Sequence, residues 1–139
     1  MRILAVDYGT VRIGVARSDE LGLLASPLPF YKRTASIKKD ARAIAEIAET
    51  GEAGLIILGY PLTLQGDKGK MAEEAEAFGE RISRYTRIPV KMLDERYTSF
   101  QAESQLREAG RNTRKARHEI DSQSAVVLLQ EYLDAMRNR

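Results

Sequence analysis

The chain has no cysteine and a single histidine, His118. The first absence excludes disulfides, thiolate metal sites and cysteine nucleophiles together; the second excludes a zinc site built on several histidines. Metal or acid–base chemistry therefore falls to the 20 aspartates and glutamates. Long apolar runs are missing too. The longest, such as AVVLL at 125–129, fall far short of the ~20 residues that span a bilayer. The opening MRILAVDYG reaches Asp7 after too few apolar residues for the ~7–15-residue core of an export signal, so a cytoplasmic protein without membrane association is expected. Charge of one sign is not in large excess: 22 Lys and Arg against 20 acids give a net +2. A nucleic-acid partner has to be argued from where the charges sit.

What is present suits one folded domain over residues 1–139, since 43% of residues are hydrophobic and 30% charged. Ile3 to Val6 and Ile13 to Ala16 read as strands flanking the Tyr8-Gly9-Thr10 turn. Gly22 to Tyr31 reads as a third, placed at a sheet edge by Pro27 and Pro29, which cannot donate ladder hydrogen bonds. Apolar residues at Ile37, Ala41, Ile44, Ala45 and Ala48 predict a helix capped by Ser36 and stopped at Gly51. Leu55 to Leu58 is uninterrupted aliphatic chain, as in a strand buried on both faces. A loop at 59–69, a helix at Lys70–Tyr85, a strand at Pro89–Leu93 and a helix from Thr98 or Ser99 to Gly110 follow. After a polar, basic stretch from Arg111 to His118, a last helix runs from about Glu119 to Met136. The order β-β-β-α-β-α-β-α-α predicts an α/β fold: a three-strand antiparallel meander joined to parallel strands in one mixed five-stranded sheet, with helices on both faces.

Three carboxylates interrupt apolar patterns where charge is disfavoured. Asp7 shares a face with Ile3 and Ala5 and falls at the C-terminal end of its strand. Glu95 holds the matching place after Lys91 and Leu93, and ligands of open α/β sheets bind at those ends. If the two strands are neighbours, the carboxylates converge there. Asp121 extends the apolar stripe of Ala125, Leu128 and Tyr132 on the last helix. Carboxylate oxygens suit Mg²⁺ or Mn²⁺, and two such ions ~3.5–4 Å apart serve phosphodiester cleavage. Each acid also has a plain reading: Asp7 as a turn residue, Asp121 as a complement to a helix dipole, and Asp94 in competition with Glu95.

The motifs resemble a known family. RILAVDYGTVRIGVARSD is similar to the opening of the YqgF, or RuvX, family of RNase H-like nucleases related to the RuvC Holliday-junction resolvases. GYPLTLQGDKG resembles its G-x-P-L loop, DERYTS its D-E-R segment, and EIDSQSAVVLLQEYL its I-D helix. Thr63-Leu64-Gln65-Gly66 stands where the family often has Asn-Met-Asp-Gly, and Ser124-Ala125 where Ala-Ala is common. The resemblance implies an RNase H-like, RuvC-like fold and Asp7, Glu95 and Asp121 as metal-binding catalytic carboxylates. It also implies a metal-dependent nuclease that matures the 5′ end of pre-16S rRNA in ribosome biogenesis.

Arg111, Arg114, Lys115 and Arg117 lie within a short stretch containing no acid, just before Asp121. They are candidate phosphate contacts, as are Arg12 and Arg96, although a solvated loop or a structural ion pair would use the same residues. His118 reads more simply as a surface residue than as a proton shuttle. Two other functions compete: Holliday-junction resolution by a dimer, and a non-catalytic RNA-binding module, against which the retention of all three acids argues. RNA is favoured over DNA as the partner, and the oligomeric state stays open between monomer and homodimer. An ATPase of the actin and sugar-kinase type, which also uses an Asp-x-Gly-Thr turn, needs a second similar domain for which the chain is too short.

Overall fold

The computed structural model describes residues 1–60, 69–94 and 113–138, with side chains other than those of Tyr60, Asp94 and 113–122. Its strands are β1 (Arg2–Tyr8), β2 (Arg12–Ser18), β3 (Ala25–Lys32), β4 (Ala53–Tyr60) and β5 (Val90–Asp94). Its helices are α1 (Ile37–Thr50), α2 (Lys70–Ile82) and α3 (Thr113–Arg137). The strands form one sheet in the order β3-β2-β1-β4-β5. β1, β2 and β3 pair antiparallel, while β4 pairs parallel with both β1 and β5. This is the mixed five-stranded α/β sheet that the element order predicts, with β3 at the edge.

Period-two alternation splits the core into two layers. Leu4, Val6, Tyr8, Ile13, Val15, Ile56 and Leu58 pack against α1 and α2. Ile3, Ala5, Ala16 and Ile57 pack against Ala125, Leu128, Leu129 and Leu133 of α3. Helices thus cover both faces, and the aliphatic run of β4 contributes to both. Among the described residues, no helix is long and apolar enough to cross a membrane.

Several boundaries differ from the sequence expectation. β3 starts at Ala25 rather than Gly22 because Asp19 folds the preceding residues into a turn. Its Oδ1 accepts from the backbone N–H groups of Leu23 at 2.7 Å and Leu24 at 3.1 Å, and Gly22 takes a left-handed φ of 71°. The cap and stop of α1 fall at Ser36, whose side chain accepts from the Lys39 N–H at 3.1 Å, and at Gly51. α2 ends at Ile82. The largest correction concerns α3, which begins at Thr113: Arg, Lys and Ala in 114–117 are strong helix formers, and no Gly or Pro follows Gly110 to break the run. The helix expected before Gly110 and most of the 59–69 loop lie outside the described residues.

Candidate functional site

Asp7 is the penultimate residue of β1. In the antiparallel ladder it stands opposite Gly14 of β2, and in the parallel ladder opposite Gly59 of β4. Gly59 in turn pairs with Leu93 of β5. Because Ile3 and Ala5 pack on α3, Asp7 belongs to that same face. It is half-buried, and both flanking glycines are buried. The row across the sheet therefore reads glycine, aspartate, glycine, leucine.

The strand order corrects the expectation that the first and last strands could be neighbours. β4 lies between them, since its aliphatic residues fit a position covered on both faces, and β1 and β5 are about 10 Å apart at ~4.8 Å per strand. Gly59, without a side chain, is the β4 residue on that row. β5 ends at Asp94, and Glu95 and Arg96 lie outside the described residues.

α3 lies along the sheet with its N-terminal half toward the Asp7 end. Near its C-terminus, the Gln130 amide donates to Leu23 O at 3.0 Å and accepts from the Ala25 N–H at 3.0 Å. These contacts fix that half of the helix beside the β2–β3 turn, at the opposite edge from Asp7. Ala125 is fully buried on the sheet. Asp121 sits one turn before it, about 6 Å along the axis at ~1.5 Å per residue, in the direction of the strand end that carries Asp7. Arg114, Lys115 and Arg117 occupy the first turns of the same helix, with side chains outside the described set, as are those of Asp121 and His118. Arg111 is outside the described residues.

The turn after Asp7 is tightly built. A Cβ on Gly9 would lie 2.3 Å from the Arg12 carbonyl oxygen, so only glycine fits there. Tyr8 is buried with its ring 4.9 Å from that of Phe78, and burial pushes its hydroxyl pKa up, against the opposing charge of Arg33. Arg33 lies over the Tyr8 ring at 4.7 Å and donates from Nη1 to the carbonyls of Gly9 at 2.8 Å and Thr10 at 3.1 Å. Arg12, the candidate phosphate contact on β2, lies over the Phe30 ring at 5.1 Å.

Sequence reasoning did not single out Arg33 or Asp40. Asp40 is only 1% exposed and accepts from the Tyr31 hydroxyl at 2.9 Å, the Thr34 N–H at 3.0 Å and the Thr34 hydroxyl at 2.8 Å. Its signal was available. Asp40 lies four residues before Ile44 on the buried stripe of α1, as Asp121 lies four before Ala125 on α3. Nothing comparable marks Arg33, whose role depends on how the β3–α1 connection meets the first hairpin.

Comparison with known proteins gives a consistent picture. The sequence model of a family described as "RuvX: Holliday junction resolvase" matches residues 1–135. A protein of Anaeromyxobacter sp. (strain Fw109-5) named "Putative pre-16S rRNA nuclease" is 39% identical over 134 residues, covering 96% of this chain and 97% of its own. One of the same name from Rhodococcus jostii (strain RHA1) is 44% identical over 137 residues, covering 96% and 77%. Among solved structures, T. thermophilus RuvC in complex with a Holliday junction substrate matches with a TM-score of 0.61 at 14% identity, covering 99% of this chain and 96% of that one. At that identity the likeness establishes a common fold.

Proposed function

From its membership of the RuvX family, to which this chain belongs as a nuclease, we propose that it is a single-domain, metal-dependent phosphodiesterase acting on structured RNA in the cytoplasm. Asp7, Glu95 and Asp121 are its metal-holding carboxylates, and its substrate is the 5′ end of pre-16S rRNA, as the names of its relatives suggest. The observation that carries this reading is the place of Asp7: the C-terminal end of a central strand, on the face covered by the helix that bears Asp121, between two glycines.

The donor chemistry fits the ion. A chain without cysteine and with one histidine offers carboxylate oxygens, which suit Mg²⁺ or Mn²⁺. Among the described residues there is no cluster of three acids or histidines, and Glu95 and the Asp121 side chain are not in that set. When bound, two such ions supply Lewis-acid stabilisation of the cleaved phosphate and an activated water. The protein's own residues do the rest. The glycines opposite Asp7 place no side chain directly across from it in either ladder, and Arg12, Arg96, Arg111, Arg114, Lys115 and Arg117 bind and orient substrate phosphates.

The test is a cleavage panel of pre-16S rRNA, single strands and four-way DNA junctions with Mg²⁺ or Mn²⁺, run with Asp7→Asn. The expected result is metal-dependent cleavage of the precursor RNA that Asp7→Asn abolishes while the fold is retained. Full activity in Asp7→Asn would overturn the site. Junction resolution is the second reading, favoured by the description of the matching family. Symmetric paired incisions in the junction by a dimer would establish it over RNA processing.

A further inference from the structure

The strongest feature left unused lies on the opposite face of the sheet from the carboxylate of Asp7. Segment 31–34, the last two residues of β3 and the start of its connection to α1, is tied down at both ends of its length by one buried group: Asp40 accepts from Tyr31 and twice from Thr34. Between those two anchors stands Arg33. Its backbone N–H donates to Val11 O at 2.9 Å, and its guanidinium holds the carbonyls of Gly9 and Thr10. Its Cζ lies over the Tyr8 ring. Tyr8 at the end of β1 and residues 9 to 11 of the connection that follows are thus each touched by Arg33.

We propose that Arg33 is a positioning residue for Asp7, acting through the Tyr8–Val11 turn, and that buried Asp40 is the anchor that holds Arg33 in place. The inference rests on reading Asp7 as catalytic. Its physical basis is that the carbonyls of Gly9 and Thr10 belong to a hairpin tip where Val11 is 60% exposed, and exposed tips open easily. A guanidinium offers five N–H donors in a rigid fork, so one side chain can clamp two successive carbonyls and stack on the ring beside them. Displacing a reacting group by ~1 Å can cost ~100-fold in rate, so loss of such a clamp shows in the turnover step. Arg33 donates to backbone rather than reaching toward the α3 face, so substrate affinity is left unchanged.

The experiment compares wild type, Arg33→Ala, Arg33→Lys and Asp7→Asn on the precursor RNA, well below the unfolding midpoint of each. Four quantities are read: kcat, KM, the slope of log affinity against log salt, and amide hydrogen exchange over residues 8–12. Arg33→Ala is expected to lower kcat at least tenfold with KM and the salt slope unchanged, and to speed exchange in the turn. Arg33→Lys, which can still donate to one carbonyl, should recover part of both. A kcat unchanged in Arg33→Ala, with Asp7→Asn inactive, overturns the positioning role and leaves the site reading intact. A raised KM with a shallower salt slope and unchanged exchange overturns it in favour of a phosphate contact. Activity in Asp7→Asn instead overturns the site reading on which the inference rests, whereas the exchange comparison still reports whether Arg33 holds the turn.

Discussion

Asp7 stands directly opposite Gly59 in the parallel ladder between β1 and β4. The pairing joins a candidate ligand to the one position of β4 on that row, and β4 separates β1 from the strand that leads to Glu95. A side chain at 59 would project from the same row toward the α3 face. Gly59→Ala is therefore expected to lower kcat about tenfold, equivalent to ~1.4 kcal/mol in the barrier. Stability should change little, because alanine suits an extended backbone at lower entropic cost than glycine. Single-turnover cleavage and thermal unfolding measured on one preparation check both halves, and an unchanged kcat would show that the space beside Asp7 is not used.

Asp40 should matter for stability far more than its place on a surface helix suggests. Hydrogen bonds to a charged acceptor contribute ~1.5–3 kcal/mol, and removing the acceptor leaves donors to be rehydrated. Asp40→Ala takes away the partner of Tyr31 and Thr34 together, so a loss of about 2–3 kcal/mol is expected in urea unfolding. Asp40→Asn keeps an acceptor oxygen and should lose less. Equal stability of Asp40→Ala and wild type would contradict the buried network.

The same network predicts an alkaline transition. Burial and the hydrogen bond to Asp40 push the Tyr31 hydroxyl up to about 12 from an ordinary value of 10.0. The folded protein therefore holds this proton more tightly than the unfolded chain. The stability it brings is complete below pH 10 and is lost as pH rises from there through about 12. Tyr31→Phe should be less stable than wild type at neutral pH and lose less on raising the pH across that window. Unfolding midpoints taken at intervals from pH 8 to 12 decide it; parallel curves for the two proteins would refute the assignment.

Much of the fold was legible because it rests on local pattern. The aliphatic run of β4, the stripe of α1 and the prolines of β3 each state their own burial or edge position. What was not legible depended on partners far apart in sequence. That β4 separates β1 from β5 follows from sheet order, which no single segment encodes. Of the candidate site, the place of Asp7 was readable from period two alone, whereas its glycine neighbours become visible only once strand register is known. The stripe rule that marks Asp121 also marks Asp40, where the carboxylate holds the β3–α1 connection. A carboxylate on an apolar helix face therefore signals a buried polar partner, and only the position of the helix end on the sheet separates a structural partner from a catalytic one.

The corrected start of α3 changes what the basic residues can do. As part of a loop, Arg114, Lys115 and Arg117 would meet a phosphate chain in many arrangements. On a helix that starts at Thr113, Arg114 and Arg117 are one turn apart, and Arg117 is one turn before Asp121. That spacing places Arg114, Arg117 and Asp121 on one stripe of the helical backbone. Replacing all three with alanine, the best helix former, removes the charge without breaking the helix. Each phosphate contact contributes ~0.7–0.9 to the slope of log affinity against log salt. The triple variant should therefore bind precursor RNA more weakly at low salt, with a slope shallower by about 2, while its helical circular dichroism matches wild type. An unchanged slope would assign these residues to solvent rather than to substrate.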